Sequence, residues 1–372
     1  MKILHFYKTA LPDTRGGIEQ VMDQIARSVV EMGIQTDVLS LTRARVPRTI
    51  SLNGYTAHRA RLNFELASTG FSASAFLRFW QLAKSADVVH YHFPWPFMDV
   101  IHLLTRIKKP SVVTYHSDII RQKYLLNLYK PIRNKFLNGA TRIVATSPNY
   151  LKTSDVLARY KEKVSVIPIG LDEKSYTRPS TSKTRYWQQK FGSKFFLFVG
   201  VMRYYKGLHI LLEALKETEF TVVLVGTGPT ENKLIEKAQE LGLNNVHFLG
   251  YLPEEDKVAL IKLCFGVIFP SHLRSEAFGV SLLEGAMFGK PMISSEIGTG
   301  TTYINIANET GLVVPPSDPE ALRSAMHYLW NNPEHALEMG KNSRSRYLQH
   351  FTARKMGESY AKLYKEVVDT DR

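Results

Sequence analysis

Glu276 and Glu284 stand eight residues apart, and the stretch between them, Ala277-Phe278-Gly279-Val280-Ser281-Leu282-Leu283, is almost wholly apolar. Such a stretch is buried when it folds. A carboxylate at its edge is costly unless it accepts hydrogen bonds. Sugar and ribose hydroxyls are natural donors to such a pair; two solvated surface acids are the plainer alternative. Glu276 is expected just before a helix and Glu284 on it, about 12 Å further along the axis if the segment is helical throughout. Arg203 and Lys206 form a second group, in Gly200-Val201-Met202-Arg203-Tyr204-Tyr205-Lys206-Gly207. Two cations ahead of a helix start can hold a diphosphate, because guanidinium, ammonium and helix dipole all favour the anion. Two solvated cations would read the same way.

Smaller motifs point in the same direction. Gly16-Gly17-Ile18-Glu19 precedes the first helix, where free backbone amides suit an anion and glycine lets the backbone come close. A tight turn would also use Gly-Gly. Gly226-Thr227-Gly228-Pro229 can admit a flat base or a sugar, or be turn chemistry alone. Gly298-Thr299-Gly300-Thr301-Thr302 can offer amides and hydroxyls to a phosphate. Thr114-Tyr115-His116-Ser117-Asp118 puts a histidine at a strand end. No Gly-x-Gly-x-x-Gly follows the first strand, so a nicotinamide dinucleotide fingerprint is missing.

These motifs need strands and helices to carry them. Ile3–Tyr7, Thr36–Leu41, Asp87–His92, Ser111–His116 and Arg142–Thr146 read as strands, with helical stretches between. That alternation predicts parallel strands with crossover helices, a doubly wound α/β architecture. A fresh strand, Phe195–Gly200, opens a second, similar series after a polar stretch at 177–183. The boundary is therefore expected near residue 170. Two such units would face each other across a cleft, and ligands of open parallel sheets bind beyond the carboxyl ends of the strands.

The chain has 372 residues, enough for about two domains. Apolar residues are 44% and charged ones 22%, the composition of an ordinary globular protein. The single cysteine, Cys264, excludes an internal disulfide and points to a reducing compartment. Met1–Phe6 lacks the features of a signal peptide, and the longest apolar run, Phe195–Met202, is too short to span a bilayer. A cytoplasmic protein is expected. The net charge is +14, from 48 basic and 34 acidic residues. Residues 1–170 carry 24 basic and 11 acidic residues, net +13; residues 171–372 carry 24 and 23, net +1. The excess in one half points to an anionic partner.

Taken together, these motifs resemble the retaining GT-B glycosyltransferases, the large family 4 group that includes glycogen and sucrose-type synthases and bacterial α-mannosyltransferases. The resemblance covers essentially the whole chain. It rests on Gly16-Gly17, His116, Arg203 with Lys206, Glu276 with Glu284, and Val313-Val314-Pro315-Pro316-Ser317-Asp318. It implies an α/β, GT-B fold of two facing Rossmann-like domains with an interdomain cleft. Residues 1–170, with a returning C-terminal helix at about 353–372, would bind the acceptor. Residues 171–352 would bind a nucleotide-sugar donor. Arg203 and Lys206 would neutralise the diphosphate, with Gly16, Gly17, Gly298, Thr299 and Gly300 beside it. Gly226 and Gly228 would line the donor pocket. Glu276 would bind hydroxyls of the transferred sugar, Glu284 the ribose, and His116 the sugar near its reacting face.

Two departures stand out. The family's arginine usually follows the strand-ending glycine directly, where this chain has Val201; Arg203 lies two residues on, on the same face of an extended chain. The usual Gly-Gly-x-x-Glu donor loop is replaced by Gly298-Thr299-Gly300-Thr301-Thr302. That variant, with Arg203-Tyr204-Tyr205-Lys206-Gly207, is similar to mannosyltransferases that build bacterial O-antigen polysaccharide. The donor it implies is GDP-mannose or a related GDP-sugar such as GDP-rhamnose. No metal and no other cofactor is expected: placed cations serve the diphosphate, and the lone Asp-x-Asp, Asp369-Thr370-Asp371, is in the tail.

The acceptor half carries Arg121, Lys123, Lys130, Arg133 and Lys135 among Ile120, Leu125, Leu126, Leu128, Tyr129 and Phe136. Basic charge beside apolar bulk suits the anionic inner face of a membrane and a lipid-diphosphate-linked glycan acceptor. A core helix with a solvated basic face has the same pattern. Pro131 argues against one continuous helix. Two rival functions remain distinguishable. A nucleotide-sugar 2-epimerase would release free UDP and a rearranged sugar. A nucleic-acid-binding protein would use the basic half, but no nucleic-acid motif is present and the acidic pair would have no role.

Overall fold

The computed structural model describes residues 1–44, 47–66, 69–119 and 123–370. The chain divides into two compact units, Met1–Gly170 with Ala353–Arg372, and Leu171–Thr352. Counted over those ranges, the first holds 29 basic and 15 acidic residues, net +14, and the second 19 of each, net zero. The C-terminal helix moves the last unit of excess charge into the first unit.

The strands of the first unit are β1 (Lys2–Phe6), β2 (Gln35–Thr42), β3 (Thr49–Leu52), β4 (Tyr55–Arg61), β5 (Phe64–Leu66), β6 (Thr69–Phe71), β7 (Val88–Phe93), β8 (Ser111–Tyr115), β9 (Arg142–Ala145) and β10 (Val164–Val166). Eight of them form one sheet in the order β10-β9-β8-β7-β1-β2-β4-β3. Every neighbouring pair is parallel except the edge strand β3, which runs antiparallel to β4. The separate pair β5-β6 is antiparallel. Strands β7 and β8 are buried at every position, as a parallel sheet covered on both faces requires.

The helix Ala353–Thr370 closes this unit by packing on Gly17–Val30. Met356, Tyr360, Leu363, Tyr364 and Val367 form its buried face. Gly357 permits the close crossing, since a Cβ there would come within 2.5 Å of the Ser28 Cβ. The segment Lys123–Gly139 is one helix with Pro131 inside it, against the expectation of a break. Buried Tyr129 before the proline, and Phe136 and Leu137 after it, anchor both halves and offset the lost backbone bond.

The second unit has β11 (Phe196–Val199), β12 (Val222–Val225), β13 (Val246–Phe248), β14 (Gly266–Phe269), β15 (Met292–Ser295) and β16 (Gly311–Val314). They form a wholly parallel sheet in the order β13-β12-β11-β14-β15-β16. This is the Rossmann order, and its topological switch lies between β11 and β14. Leu208, Leu211, Leu212 and Leu215 are all buried against one face, as their spacing predicts. Among the described residues, no helix is long and apolar enough to cross a membrane.

Candidate functional site

In the second unit, the ends of β11 and β14 bring the main candidates together. Gly200 follows β11 with φ +153°, a conformation side-chain-bearing residues rarely adopt. Val201 and Arg203 are exposed, with Met202 fully buried between them, so positions 201 and 203 share a face. A single turn, Tyr204–Lys206, then leads to Gly207 and the helix Leu208–Ala214. Gly207 has φ +71°, and a Cβ on it would meet the Pro270 carbonyl at 2.0 Å. No other residue fits that contact. It presses the loop after β11 onto the loop after β14, across the switch point.

Lys206 crosses that gap. Its Nζ is ion-paired with Glu276 Oε2, and both side chains are about nine-tenths buried. The ammonium also sits 4.6 Å from the centre of the Phe269 ring. Glu276 Oε1 has no protein partner among the described residues. Glu276 is not helical: the helix begins at Val280 after Gly279, whose φ is +100°. The helical separation of the two acids therefore does not apply. Glu284 lies on that helix and is buried. Its Oε1 accepts from the Tyr176 hydroxyl at 2.9 Å and from Lys257 Nζ at 2.8 Å. Its Oε2 has no protein partner among the described residues. Each carboxylate thus has one oxygen held by the protein and one left to accept from a ligand.

The glycines after β12 do something else. A Cβ on Gly226 would meet the Gly200 carbonyl at 2.1 Å, and one on Gly228 the Met202 carbonyl at 2.3 Å. The space their missing side chains leave is filled by the neighbouring loop, not held open for a base. Near β15, Gly298 N donates to Glu296 Oε1 at 2.8 Å and Gly300 N to the Ala277 carbonyl at 2.9 Å. Those two amides are spoken for. Thr299 is fully buried, with its hydroxyl 3.5 Å from that of Thr301.

Sequence reasoning missed two features here. Ser271 Oγ and His272 Nδ1 are buried just after β14 without a partner among the described residues. Tyr204, His209 and His272 pack together, with ring centres 4.8–5.1 Å apart. Burial lowers the proton affinity of both histidines.

In the first unit, Gly16 caps the helix Gly17–Val30, and the carboxylate of Glu19 in its first turn accepts from Thr14 Oγ1 at 3.1 Å. His116 stands just past β8 and is only 6% exposed. Its backbone N–H donates to the Phe93 carbonyl at 2.9 Å. The next turn is fixed by Asp118, which accepts from the hydroxyls of Tyr115, Tyr150 and Ser154 at 2.8–2.9 Å.

His116 does not stand alone. Its Nε2 lies 3.0 Å from His92 Nδ1, and His92 Nε2 lies 3.0 Å from His5 Nδ1. His90 beside them bonds Thr114 Oγ1 at 2.7 Å and the Tyr364 hydroxyl at 2.6 Å. Thr114 in turn meets the Tyr360 hydroxyl at 2.7 Å. Burial holds the imidazoles of His5 and His116 neutral, with pKa lowered to about 3, and lowers His90 and His92 too. Nitrogens of His5, His90 and His92 lie within 4.8 Å of one another, a spacing a metal could use. However, both nitrogens of His90 are engaged by hydroxyls, and His5 and His92 bond each other. The signal for this cluster was in the sequence: the i, i+2 pairs His90/His92 and Thr114/His116 each put two polar groups on one face of a buried strand.

On the helix Lys123–Gly139, Lys130 and Lys135 are exposed, as are Leu125 and Leu128. Arg133 is buried, with its guanidinium on Asn134 Oδ1 at 3.0 Å, so it is not part of an outward basic face. Tyr129 and Phe136 are buried as well, Tyr129 with its hydroxyl on Asp99 Oδ2. Arg121 and the side chain of Lys123 lie outside the described residues.

Two Rossmann-like units, with paired acids and cations at the switch point of the second, define an α/β nucleotide-fold protein. Residues 15–175 match Glycosyltransferase Family 4, and residues 183–346 match Glycosyl transferases group 1. The chain is 60% identical over 353 residues to D-rhamnosyltransferase WbpZ of Pseudomonas aeruginosa, covering 95% of this chain and 93% of that one. It is 48% identical over 373 residues to O-antigen chain mannosyltransferase C of Escherichia coli, covering all of both. Sucrose-phosphate synthase from Thermosynechococcus elongatus shares the fold, with a TM-score of 0.83 at 21% identity over 99% of each chain. The chain belongs to the group 1, family 4 glycosyltransferases and has their GT-B fold.

Proposed function

We propose that the enzyme transfers a mannose-configured hexose from a GDP-sugar to a growing bacterial O-antigen glycan, with retention at the anomeric carbon. The Lys206–Glu276 pair across the β11/β14 switch carries this reading. Departure of GDP leaves an oxocarbenium-like sugar and a charged diphosphate. Lys206 and the exposed Arg203 supply fixed positive charge to the diphosphate. The open oxygens of Glu276 and Glu284 accept from sugar and ribose hydroxyls. Gly16, Gly17, Thr299 and His116 are assigned to the donor by the family resemblance. The two curated relatives act on mannose and on its 6-deoxy counterpart, D-rhamnose. Both sugars fit the reading, and the greater identity to the rhamnosyltransferase favours the 6-deoxy sugar. GDP release is expected with GDP-mannose or GDP-D-rhamnose and a lipid-linked acceptor analogue, undiminished by a chelator. Release from UDP-sugars alone, or activity lost to chelator and restored by Mg²⁺ or Mn²⁺, would overturn it.

The acceptor side follows from the +14 of the first unit. Lys130 and Lys135, with Leu125 and Leu128 exposed on the same helix, fit a peripheral contact with anionic lipid at the inner face of the membrane. Co-sedimentation with anionic vesicles, reduced by Lys130→Glu with Leu128→Ser, is the expected result. Equal partitioning onto neutral and anionic vesicles rules the contact out.

A further inference from the structure

His92 and His5 stand on the adjacent strands β7 and β1, His116 stands just past the end of β8 beside them, and the three imidazoles are joined nitrogen to nitrogen at 3.0 Å in both links. The ring planes of the linked pairs lie within 15° and 23° of parallel, with centres 5.3 Å apart, as rings bonded end to end through their nitrogens do. In such a chain the protons are not independent. A neutral imidazole carries one N–H and one bare nitrogen, and each link needs one of each. If His92 Nδ1 donates to His116 Nε2, then His92 Nε2 is bare and His5 Nδ1 must donate to it. All three rings then carry the proton on Nδ1. The alternative places all three on Nε2.

The far end of the chain decides between the two. His5 is fully buried, and its Nε2 has no partner among the described residues. With the protons on Nε2, a buried N–H would be orphaned at that end; with the protons on Nδ1, only a lone pair is. Orphaned buried N–H groups are the rarer and costlier case. We propose that His92 and His5 are positioning residues that hold His116 as a neutral ring with its proton on Nδ1. His116 Nδ1 has no protein partner among the described residues, so this N–H is the group His116 offers to a ligand. Its target is an oxygen acceptor: a sugar hydroxyl or ring oxygen, or a phosphate oxygen. A ring already protonated at Nδ1 cannot accept a proton there, so no proton is transferred and His116 is a hydrogen-bond donor, not a general base.

The groups around the chain do not disturb this. Tyr7, just past β1, faces it, as does His90 from β7. Tyr360 and Tyr364 face it from the C-terminal helix. Asp118, just beyond β8, is occupied by three hydroxyls. Among the described residues, no carboxylate bonds an imidazole of the chain.

The assignment of His116 to the donor sugar is part of the proposed function, and the tautomer is tested apart from it. Nitrogen-15 NMR of the full chain labelled at histidine reads both ring nitrogens. His5, His92 and His116 are expected as the Nδ1–H form, the minor one for free histidine in water, with no titration between pH 5.5 and 8. In His92→Phe, which keeps a ring at that position, His116 is expected to relax to mixed tautomers. Nε2–H rings, a charged His116 at neutral pH, unequal tautomers along the chain, or a metal ion found on the purified protein would each overturn the proposal. If His92→Phe does not fold, the wild-type spectrum alone decides. Activity then tests the other half. His116→Asn, which keeps an N–H near the Nδ1 position, is expected to retain at least ten times the kcat/KM of His116→Ala. Wild-type activity in His116→Ala would remove the donor contact and leave the tautomer assignment standing.

Discussion

Lys206→Met is expected to lower kcat/KM by about 10²–10³-fold, the cost of removing one preorganised charge from a developing anion. The methionine keeps an unbranched stem beside the Phe269 ring, which Lys206 now covers at 4.6 Å. Packing is therefore held while the ammonium is lost. Two effects add. The diphosphate loses a cation that is already desolvated and held in place. Glu276, about nine-tenths buried, loses the one group among the described residues that bonds its side chain. A carboxylate stranded in that way keeps its desolvation cost without a partner and no longer presents a fixed acceptor to the sugar. The loss should therefore fall on kcat more than on KM. Glu276→Gln should be milder, because the amide oxygen still accepts from a hydroxyl. Steady-state kinetics with the preferred GDP-sugar, beside thermal unfolding of each variant, reads this directly. A folded Lys206→Met enzyme turning over within threefold of wild type would falsify the site.

How much of this could be read in the chain differs by feature. The alternating runs predicted parallel strands, and the second series at Phe195–Gly200 placed a new unit; both follow from local burial, which leaves its period in the sequence. The acids and cations were legible because residue type and spacing already state their chemistry. What they touch was not. Glu284 bonds Tyr176, 108 residues away in the chain, and Lys257, 27 away. No local pattern encodes such partners. Gly226 and Gly228 looked like room for a ligand, yet the structure fills that room with the backbone of Gly200 and Met202. A missing Cβ shows that something comes close, not what it is.

Pro131 shows the reverse case. The local rule against proline inside a helix is sound, but buried Tyr129, Phe136 and Leu137 outweigh one lost hydrogen bond. The same burial corrects the basic face: Arg133 points inward, which the sequence could not reveal because lysine and arginine look alike on any helical face. The histidine chain lay in plain view as His5, the alternating pair His90 and His92, and His116 after Thr114. It became readable only when the order β8-β7-β1 put those strands side by side.

That chain sets how the first unit meets acid. Its imidazoles are neutral when folded, with His5 and His116 lowered to about 3. Unfolded, each titrates at about 6.5. Between those values the unfolded state binds more protons, so stability falls as pH falls through that window and is unaffected above it. Each such histidine withdraws up to about 1.4 kcal/mol per pH unit. At pH 5 the two together remove roughly 4 kcal/mol, a large share of a typical 5–15 kcal/mol. His90 and His92 act in the same direction. Asp99, buried in the same unit with its carboxyl pushed well above the usual range, opposes them by a single proton. Carboxylates with lowered pKa lose their contribution below about pH 5, so between pH 6.5 and 5 the buried histidines set the slope, with His102, lowered to about 4, adding to them and Asp99 opposing them. Urea unfolding at pH 7.5, 6 and 5 should therefore show a midpoint that drops steeply below pH 6.5. His5→Phe removes one titrating ring, and its drop over the same interval should be shallower by about 1.1 kcal/mol per pH unit. A wild-type midpoint flat from pH 7.5 to 5, or an unchanged slope in a folded His5→Phe protein, would mean that these imidazoles are charged in the native state.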